Sequence, residues 1–369
     1  MNCDCKYYKP VLSEGDETKA VVPTDVTWRN GLLIRATNWL GDTLMTLPAS
    51  YKLSRLLPEP CGVFVMCPEP LVPLWQSAGW VTRTVPLTAK RAGPRAAAAV
   101  RGMKPGAAVV FPNSFGAALD VFGKGVPVRV GRRGRGRGPL LTHTLPKWDR
   151  PRGAQSAHQV NLYLELAAAF GPVEWDTTCP ALQVDAAEQA CERLGMRPER
   201  GPWLAVAPGA AYGPAKQWPA ERFALLSRWW VETTGGAVAV VGTEKERRAA
   251  ESVGKGCEGI VNLVGQTPLH DLMSVFATAA AVVANDSGAM HLAAAIGTPG
   301  VAIFGSTDPV ATGPLGAPWI VLSSKTECSP CFRRECPHTA ERRYACLFES
   351  TVEQAACGLQ TILSEPESP

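Results

Sequence analysis

The chain has 369 residues, 46% of them hydrophobic, and Lys and Arg exceed Asp and Glu by only 37 to 33. This length suggests two domains with sizeable cores, and the small excess of positive charge argues against a general nucleic-acid-binding protein. No apolar run approaches the ~20 residues of a bilayer span, and the polar residues 1–28 lack the apolar core of a secretory signal. We therefore expect a cytoplasmic protein in which residues 1–28 form a flexible extension.

The first predicted strand covers residues 31–36 and is followed by a polar loop that opens a helix. Asn38 and Trp39 lie in this loop, and Asp42 comes at the turn into the helix. A carboxylate at this position either caps the helix or acts as a general base toward an acceptor hydroxyl, and both interpretations stay open. Ligands bind beyond the carboxyl ends of parallel strands, so this loop is a candidate site.

Short apolar segments alternate with segments rich in small residues along the rest of the N-terminal half. This alternation is typical of parallel sheets built from βαβ units. The further strands predicted here cover residues 63–66, 81–85 and 107–111.

A run of arginine and glycine follows at residues 129–138. It is interpreted either as a charged, mobile loop or as a contact for phosphate or a membrane surface, and both interpretations stay open. The arginines of this run are Arg129, Arg132, Arg133, Arg135 and Arg137.

A second alternating series starts at Trp203 and predicts another domain of the same kind. The fold prediction is therefore α/β, with two Rossmann-like αβα domains facing each other across a cleft. The predicted boundaries are 29–185 for the N-terminal domain and 186–369 for the C-terminal domain. The strands predicted in this series cover residues 204–207, 237–241, 260–262, 281–284 and 301–304.

The loop at residues 208–219 carries the strongest functional signal in the chain. It follows a predicted strand, contains Tyr212, Gly213 and a single lysine, Lys216, and leads into a helix. Backbone N–H groups in such a loop and at a helix N-terminus bind anions, and Lys216 adds a positive charge. The loop is therefore predicted to hold a phosphate group.

Another glycine-containing loop, residues 285–291, follows the apolar strand that is predicted at residues 281–284. Asp286 and Ser287 either cap the helix that follows or bind a pyrophosphate, with Gly288 permitting close approach of the backbone. His291, one turn later, is either a core residue or a contributor to this site.

Two further strand ends carry candidate residues for a nucleoside. Glu244 either accepts hydrogen bonds from ribose hydroxyls or simply favours the start of a helix. Thr267 follows the next strand, where it would contact a base. Both assignments rest on position alone.

The segment 328–346 is dense in cysteine and is predicted to form a tight basic loop. Its spacing differs from that of a zinc ribbon, which has two paired Cys-x-x-Cys units. A structural loop with reduced thiols is favoured over a metal or cluster site, so no metal is predicted. The cysteines that would form the alternative metal site are Cys328, Cys331, Cys336 and Cys346.

Taken together, these segments resemble the heptosyltransferases of glycosyltransferase family 9, which build the inner core of lipopolysaccharide. Four strings carry the resemblance, and they span about residues 30–350. They are Asn-Trp-Leu-Gly-Asp at 38–42, Gly-Pro-Ala-Lys-Gln-Trp-Pro at 213–219, Asn-Asp-Ser-Gly at 285–288 and Cys-Ser-Pro-Cys-Phe at 328–332.

The resemblance implies a GT-B fold and an inverting transfer of L-glycero-D-manno-heptose from ADP-heptose to the heptose of the lipopolysaccharide inner core. Heptosyltransferase I, or another core sugar transferase of the same family, is the alternative. The implied partners are ADP-heptose and a lipid acceptor, Kdo–lipid A bearing heptose. A peripheral location at the cytoplasmic face of the inner membrane follows from that acceptor. No cofactor is implied to be required, and stimulation by Mg²⁺ stays open.

Residue roles follow from the resemblance by position. Asp42 falls on the general base, and Lys216 falls on the lysine that contacts phosphate. The predicted acceptor residues are Asn38 and Trp39, which lie in the resembling string, and Arg132, Arg133 and Arg135, which are assigned from the charge of the arginine-glycine run and not from the resemblance. The implied donor residues are Tyr212, Gly213, Lys216, Glu244, Thr267, Asp286, Ser287, Gly288 and His291.

Two other classes of protein remain as alternatives. A nucleotide-dependent oxidoreductase is disfavoured, because the first strand is not followed by a Gly-x-Gly-x-x-Gly loop. A metal-sensing protein built around residues 328–346 would make Asp42 a plain helix cap.

Overall fold

The computed structural model describes most of the chain, and its described residues divide into two α/β units. The described residues are 5–13, 20–22, 26–148, 156–254 and 258–364. The N-terminal unit holds those of 12–151 and 157–183, and the C-terminal unit holds those of 1–11, 152–156 and 184–369. The division therefore differs from the predicted boundaries in assigning the start of the chain to the C-terminal unit.

A parallel six-stranded sheet forms the centre of the N-terminal unit. Its central strands are buried apolar runs, as expected for a parallel sheet that helices cover on both faces. The strands are β1 (Gly31–Arg35), β2 (Gly62–Pro68), β3 (Arg83–Leu87), β4 (Ala107–Val110), β5 (Val128–Arg132) and β6 (His143–Leu145). They lie side by side in the order β3-β2-β1-β4-β5-β6.

Helices connect these strands, as the alternating sequence pattern predicts. Several begin with proline in the first turn, where the missing N–H costs no helix bond. The helices are α1 (Leu40–Leu44), α2 (Leu47–Arg55), α3 (Val72–Gln76), α4 (Pro94–Met103), α5 (Phe115–Val121) and α6 (Val160–Ala168).

The arginine-rich run is only partly a loop. Arg129 and Arg132 lie in β5, so of the two interpretations that the sequence leaves open for 129–138, that of a mobile loop does not hold for this part. The Arg129 guanidinium donates to the carbonyl oxygens of Leu140 and Val126 at 2.8 and 2.7 Å, which ties the strand to its surroundings. Val128 and Val130 alternate with other residues in this strand, and Val130 is fully buried, but the arginines obscure that pattern in the sequence.

The C-terminal unit repeats the same sheet topology with a second set of strands. They are β7 (Trp203–Ala207), β8 (Ala237–Val240), β9 (Ile260–Asn262), β10 (Ala281–Asn285), β11 (Gly300–Phe304) and β12 (Trp319–Ser323). All are parallel, in the order β12-β11-β10-β7-β8-β9. If β7 to β12 are renumbered 1 to 6 and the sheet is read from β9 to β12, the order is 3-2-1-4-5-6, as in the N-terminal unit.

The helices of the C-terminal unit cover this sheet. Trp218, Phe223 and Trp230 are fully or almost fully buried between α8 and the strands. The helices are α7 (Ala187–Arg193), α8 (Ala220–Thr234), α9 (Arg247–Gly254), α10 (Leu269–Thr278), α11 (Gly288–Ile296), α12 (Pro309–Thr312), α13 (Ala345–Phe348) and α14 (Val352–Ser364).

The start of the chain packs onto β12, at the edge of the C-terminal sheet. Tyr7 forms an antiparallel bridge with Ile320, and the Tyr8 N–H donates to the Trp319 carbonyl at 2.6 Å. The prediction of a flexible extension is therefore wrong for these residues, because two tyrosines satisfy an edge strand that would otherwise present unpaired groups. Residues 1–4, 14–19 and 23–25 of the predicted extension lie outside the described residues.

No helix in the described part of the chain combines the length and the apolar character that a bilayer crossing requires.

Candidate functional site

Both sheets reverse their strand order at one point, and that point predicts where ligands bind. In the N-terminal unit it lies between β1 and β4, and in the C-terminal unit between β7 and β10. Connections leave for opposite sides of the sheet here, which opens a crevice outside the carboxyl ends of the two strands. The loops that follow these four strands carry most of the residues predicted from the sequence.

A pocket of about 630 Å³ lies in the N-terminal unit at the carboxyl ends of β1 and β4. The loops after these strands line it, and α6 contributes Leu162 and Tyr163. The structure therefore brings together the predicted base and all the predicted acceptor residues of this unit. These residues are Asp42, Asn38, Trp39, Arg132, Arg133 and Arg135.

Further residues of this pocket were missed in the sequence. Asn113 and Ser114 follow β4, and their polar side chains after a predicted strand were the signal that would have indicated them. Lys147 and Trp148 follow β6. No strand was predicted there, so nothing in the sequence placed them near Asp42.

The backbone around Asp42 is fixed by buried hydrogen bonds. Asp42 lies in the first turn of α1. The hydroxyl of its neighbour Thr43 is 2.7 Å from that of Thr37, and the Thr43 N–H donates to the Trp39 carbonyl at 2.9 Å. A carboxylate held in this way, at the wall of a pocket, is suited to accept a proton from a bound hydroxyl.

A buried ion pair supports the same loop from inside the unit. The Nε atom of Arg35 donates to Asp120 at 3.0 Å, and both side chains are at most 2% exposed. The two terminal nitrogens of Arg35 each lie 3.1 Å from the Asn38 side-chain oxygen. Arg91, which is 45% exposed, donates to the other oxygen of Asp120 at 2.8 Å. Arg35 therefore joins the core of the unit to the loop that carries the pocket residues.

Replacing Arg35 with methionine is expected to lower the free energy of unfolding by about 3–5 kcal/mol, because Asp120 stays buried without its buried partner. Arg91→Met removes an exposed partner of the same carboxylate and should cost about 1 kcal/mol or less. Urea unfolding of both variants measures the two losses. Losses of equal size would contradict the supporting role of Arg35.

The arginines beside the pocket differ in how far they are already engaged. The Arg132 guanidinium is buried, pairs with Glu165 and donates to the Leu162 carbonyl at 3.0 Å, so its charge is partly neutralised within the wall. The Nε atom of Arg133 donates to the Thr144 hydroxyl at 3.0 Å, but this side chain is exposed. Arg135 is exposed too. The cations that face solvent at this pocket therefore include Arg133, Arg135 and Lys147, which is also exposed.

Arg137 holds the wall of the pocket together. It is fully buried and donates to the Arg132 carbonyl at 2.6 Å, to the Asn113 side chain at 2.7 Å and to the Pro112 carbonyl. Burial, together with the nearby charges of Arg132 and Arg135, lowers the pKa of Arg137 to about 10. A guanidinium with this pKa stays charged at neutral pH, so Arg137 adds a buried positive charge next to the pocket residues Asn113 and Arg132.

In the C-terminal unit, the loop after β7 meets the loop after β10. The Lys216 ammonium lies 2.5 Å from the Asp286 carboxylate, and the Thr307 hydroxyl donates to the same oxygen at 2.6 Å. Asn285 accepts from the Trp218 N–H at 2.9 Å. The structure thus brings the two predicted donor loops into direct contact and adds to them Thr307, from the loop after β11.

The N-terminus of α11 directly follows Asp286, the residue that pairs with Lys216. Ser287 is the residue before the helix, and its hydroxyl is buried with no hydrogen-bond partner among the described residues. Gly288 is the first residue of the helix, and His291 is buried one turn later. Free N–H groups at a helix start, a hydroxyl without a partner and Lys216 nearby form a suitable site for phosphate.

The two predicted nucleoside residues lie at the ends of neighbouring strands. Glu244 is exposed, and hydrogen bonds from Arg247 hold its pKa below the usual range. The turn that contains Glu244 also contains Glu246, and it lies against the loop after β7. A Cβ added to Gly209 in that loop would lie 1.7 Å from the Glu246 carboxylate. Thr267 is half-buried in the turn before α10.

The four cysteines of residues 328–346 are free thiols. Burial raises the pKa of Cys346 to about 11, and the nearby Cys328, Cys331 and Cys336 contribute to the same shift. Cys346 is therefore protonated at neutral pH. Within the described residues, no group of three or more Cys, His, Asp or Glu is arranged to hold a metal ion.

Two Rossmann-like units with one strand order, each with polar loops at the carboxyl ends of its central strands, are the architecture of the GT-B glycosyltransferases. This is the class of protein that the fold and the two sets of loops define. Residues 95–341 match glycosyltransferase family 9 (heptosyltransferase), and the chain belongs to this family.

Three comparisons show how far the similarity extends. The chain is 31% identical over 309 residues to lipopolysaccharide heptosyltransferase 2 of Escherichia coli, covering 77% of this chain and 85% of that protein. It is 29% identical over 359 residues to lipopolysaccharide heptosyltransferase 2 of Salmonella typhimurium, covering 90% and 99%. The solved structure of E. coli ADP-heptose lipopolysaccharide heptosyltransferase II matches with a TM-score of 0.75 at 26% identity, covering 91% of this chain and 99% of that one. The predicted α/β GT-B fold and glycosyltransferase activity are confirmed.

Proposed function

We propose that this protein transfers L-glycero-D-manno-heptose from ADP-heptose to the heptose of the lipopolysaccharide inner core. The similarity to heptosyltransferase 2 proteins over most of both chains supports this reaction. The observation that carries it is the pocket that Asp42, Arg133 and Arg135 line together. A carboxylate for the hydroxyl and cations for anionic groups of the acceptor suit a phosphorylated or carboxylated sugar.

The donor is assigned to the loops of the C-terminal unit. The N-terminus of α11 and Lys216 would bind the diphosphate of ADP-heptose, with the Ser287 hydroxyl as a further donor of a hydrogen bond. Asp286 holds the Lys216 ammonium in place before the donor binds. Glu244 and Thr267, which follow neighbouring strands, would contact the adenosine.

The proposed reaction is a single displacement with inversion. Asp42 accepts the proton of the acceptor hydroxyl as its oxygen forms a bond to the anomeric carbon. The bond from that carbon to the β-phosphate oxygen breaks, and its electron pair leaves with ADP. Lys216 and the helix N–H groups stabilise the negative charge that develops on the leaving group.

The acceptor of this reaction is anchored in a membrane by its lipid. We therefore assign the protein to the cytoplasm, bound peripherally at the cytoplasmic face of the inner membrane. Exposed cations such as Arg133 and Arg135 would favour an anionic membrane surface. The Trp39 side chain, 74% exposed, would suit the interface between headgroups and water.

The test is transfer from ADP-heptose to two purified acceptors, one bearing Kdo and a single heptose and one bearing only Kdo. Mass spectrometry is expected to show the gain of one heptose on the first acceptor and none on the second. Transfer to the Kdo-only acceptor would instead identify heptosyltransferase I activity. Transfer to neither acceptor would reject the proposed reaction.

A further inference from the structure

The cysteine-rich segment 328–346 is attached to the donor loops of the C-terminal unit by hydrogen bonds. The Phe332 N–H donates to the Ser306 carbonyl at 2.8 Å, and the Tyr212 hydroxyl donates to the Phe332 carbonyl at 2.6 Å. The Ala215 N–H donates to the Arg334 carbonyl at 3.0 Å. These bonds fix the segment against the loop that carries Lys216.

The donor loop is shaped to receive this segment. Gly213 has a φ angle of +151°, and a Cβ added to it would lie 2.6 Å from the carbonyl oxygen of Arg334. Any other residue at this position would collide with the backbone of Arg334. Gly213, assigned above to the donor site by resemblance, is therefore required because Arg334 lies against it.

The side chain of Arg334 lies beside the same loop. Its guanidinium is 5.4 Å from the centre of the Tyr212 ring, and the Lys216 ammonium is 5.0 Å from the centre of the same ring. Two cations thus lie over one aromatic ring. Lys216 is paired with Asp286, whereas exposed Arg334 forms no ion pair with any residue that the structure describes.

We propose that Arg334 is a second cation that binds the diphosphate of the donor. This inference rests on the proposed function and adds to it a residue from a segment with no other assigned role. A guanidinium can donate two parallel hydrogen bonds to phosphate oxygens, which an ammonium cannot. When the bond between the anomeric carbon and the β-phosphate oxygen breaks, Arg334 stabilises the charge left on that oxygen.

Binding measurements on Arg334→Ala test this role, with Arg333→Ala as the matched control. Arg333 is the neighbouring exposed arginine of the same segment, and its replacement makes the same change in charge. Calorimetric titration with ADP is expected to show about tenfold weaker binding for Arg334→Ala, the size of one charge-assisted contact. Affinity for adenosine should stay within about twofold of the original, and Arg334→Lys should recover part of the loss for ADP.

A role for Arg334 in loop packing alone gives a different pattern. ADP and adenosine would then lose affinity by the same factor, and Arg334→Lys would recover nothing. That result, or an ADP affinity unchanged in Arg334→Ala, would overturn the proposal.

Titration with inorganic pyrophosphate separates this proposal from the proposed function. If the unaltered protein binds pyrophosphate through Arg334 but does not bind ADP, the assigned donor is wrong and the role of Arg334 stands. If heptose transfer occurs and Arg334→Ala binds ADP normally, only the role of Arg334 is wrong. Failure of the unaltered protein to bind either ligand would overturn both.

Discussion

Asp42→Asn is expected to lower kcat for heptose transfer by roughly 1,000-fold, the contribution typical of a general base. The amide keeps the shape of the carboxylate but cannot take the proton of the acceptor hydroxyl. ADP binding, which is assigned to the C-terminal unit, should not change. The measurements are initial rates of transfer at saturating donor and calorimetric titration with ADP.

A matched control excludes a general effect of lost negative charge. Glu69→Gln removes an exposed carboxylate from the same unit and should leave kcat within about twofold, as is usual for surface substitutions. If Asp42→Asn retained nearly full kcat, Asp42 would be a helix cap, and another group would have to accept the proton. If it lost activity and melted well below the original protein, the effect would be structural.

The fold follows from hydrophobic patterning more directly than the site does. Strands such as β1 and β10 are buried apolar runs bounded by glycine or polar residues, and they were predicted within a residue or two. β5 was missed because arginines alternate with its valines, and β6 because it has only three residues. Tyr7 and Tyr8 were assigned to a flexible extension because their partner strand, β12, lies more than 300 residues later.

Site residues could be proposed from the sequence where they follow predicted strands. Asp42 and Lys216 were found in this way, since parallel sheets collect such loops at one edge. The contacts among them could not be found. Lys216 and Asp286 are 70 residues apart in the chain, and Arg35 and Asp120 are 85 apart. These pairs become neighbours through the order of the strands in each sheet, and that order cannot be read directly from the sequence.

The pair formed by Lys216 and Asp286 leads to a second large effect. Lys216→Met is expected to lower kcat by roughly 100-fold, because the departing ADP loses a positive charge in a partly buried site. The same change should weaken ADP binding. Initial rates and titration with ADP measure the two effects.

The Asp286 side chain is only 4% exposed, so Lys216→Met also leaves a buried carboxylate with the Thr307 hydroxyl as its remaining partner. Part of the lost activity would then arise from instability. The double variant Lys216→Met with Asp286→Asn removes that unpaired charge and should recover stability without recovering kcat. Lys325→Met, an exposed lysine of the same unit, is the control for lost positive charge. Recovery of kcat in the double variant would mean that Lys216 serves to neutralise Asp286 and that other groups stabilise the leaving ADP.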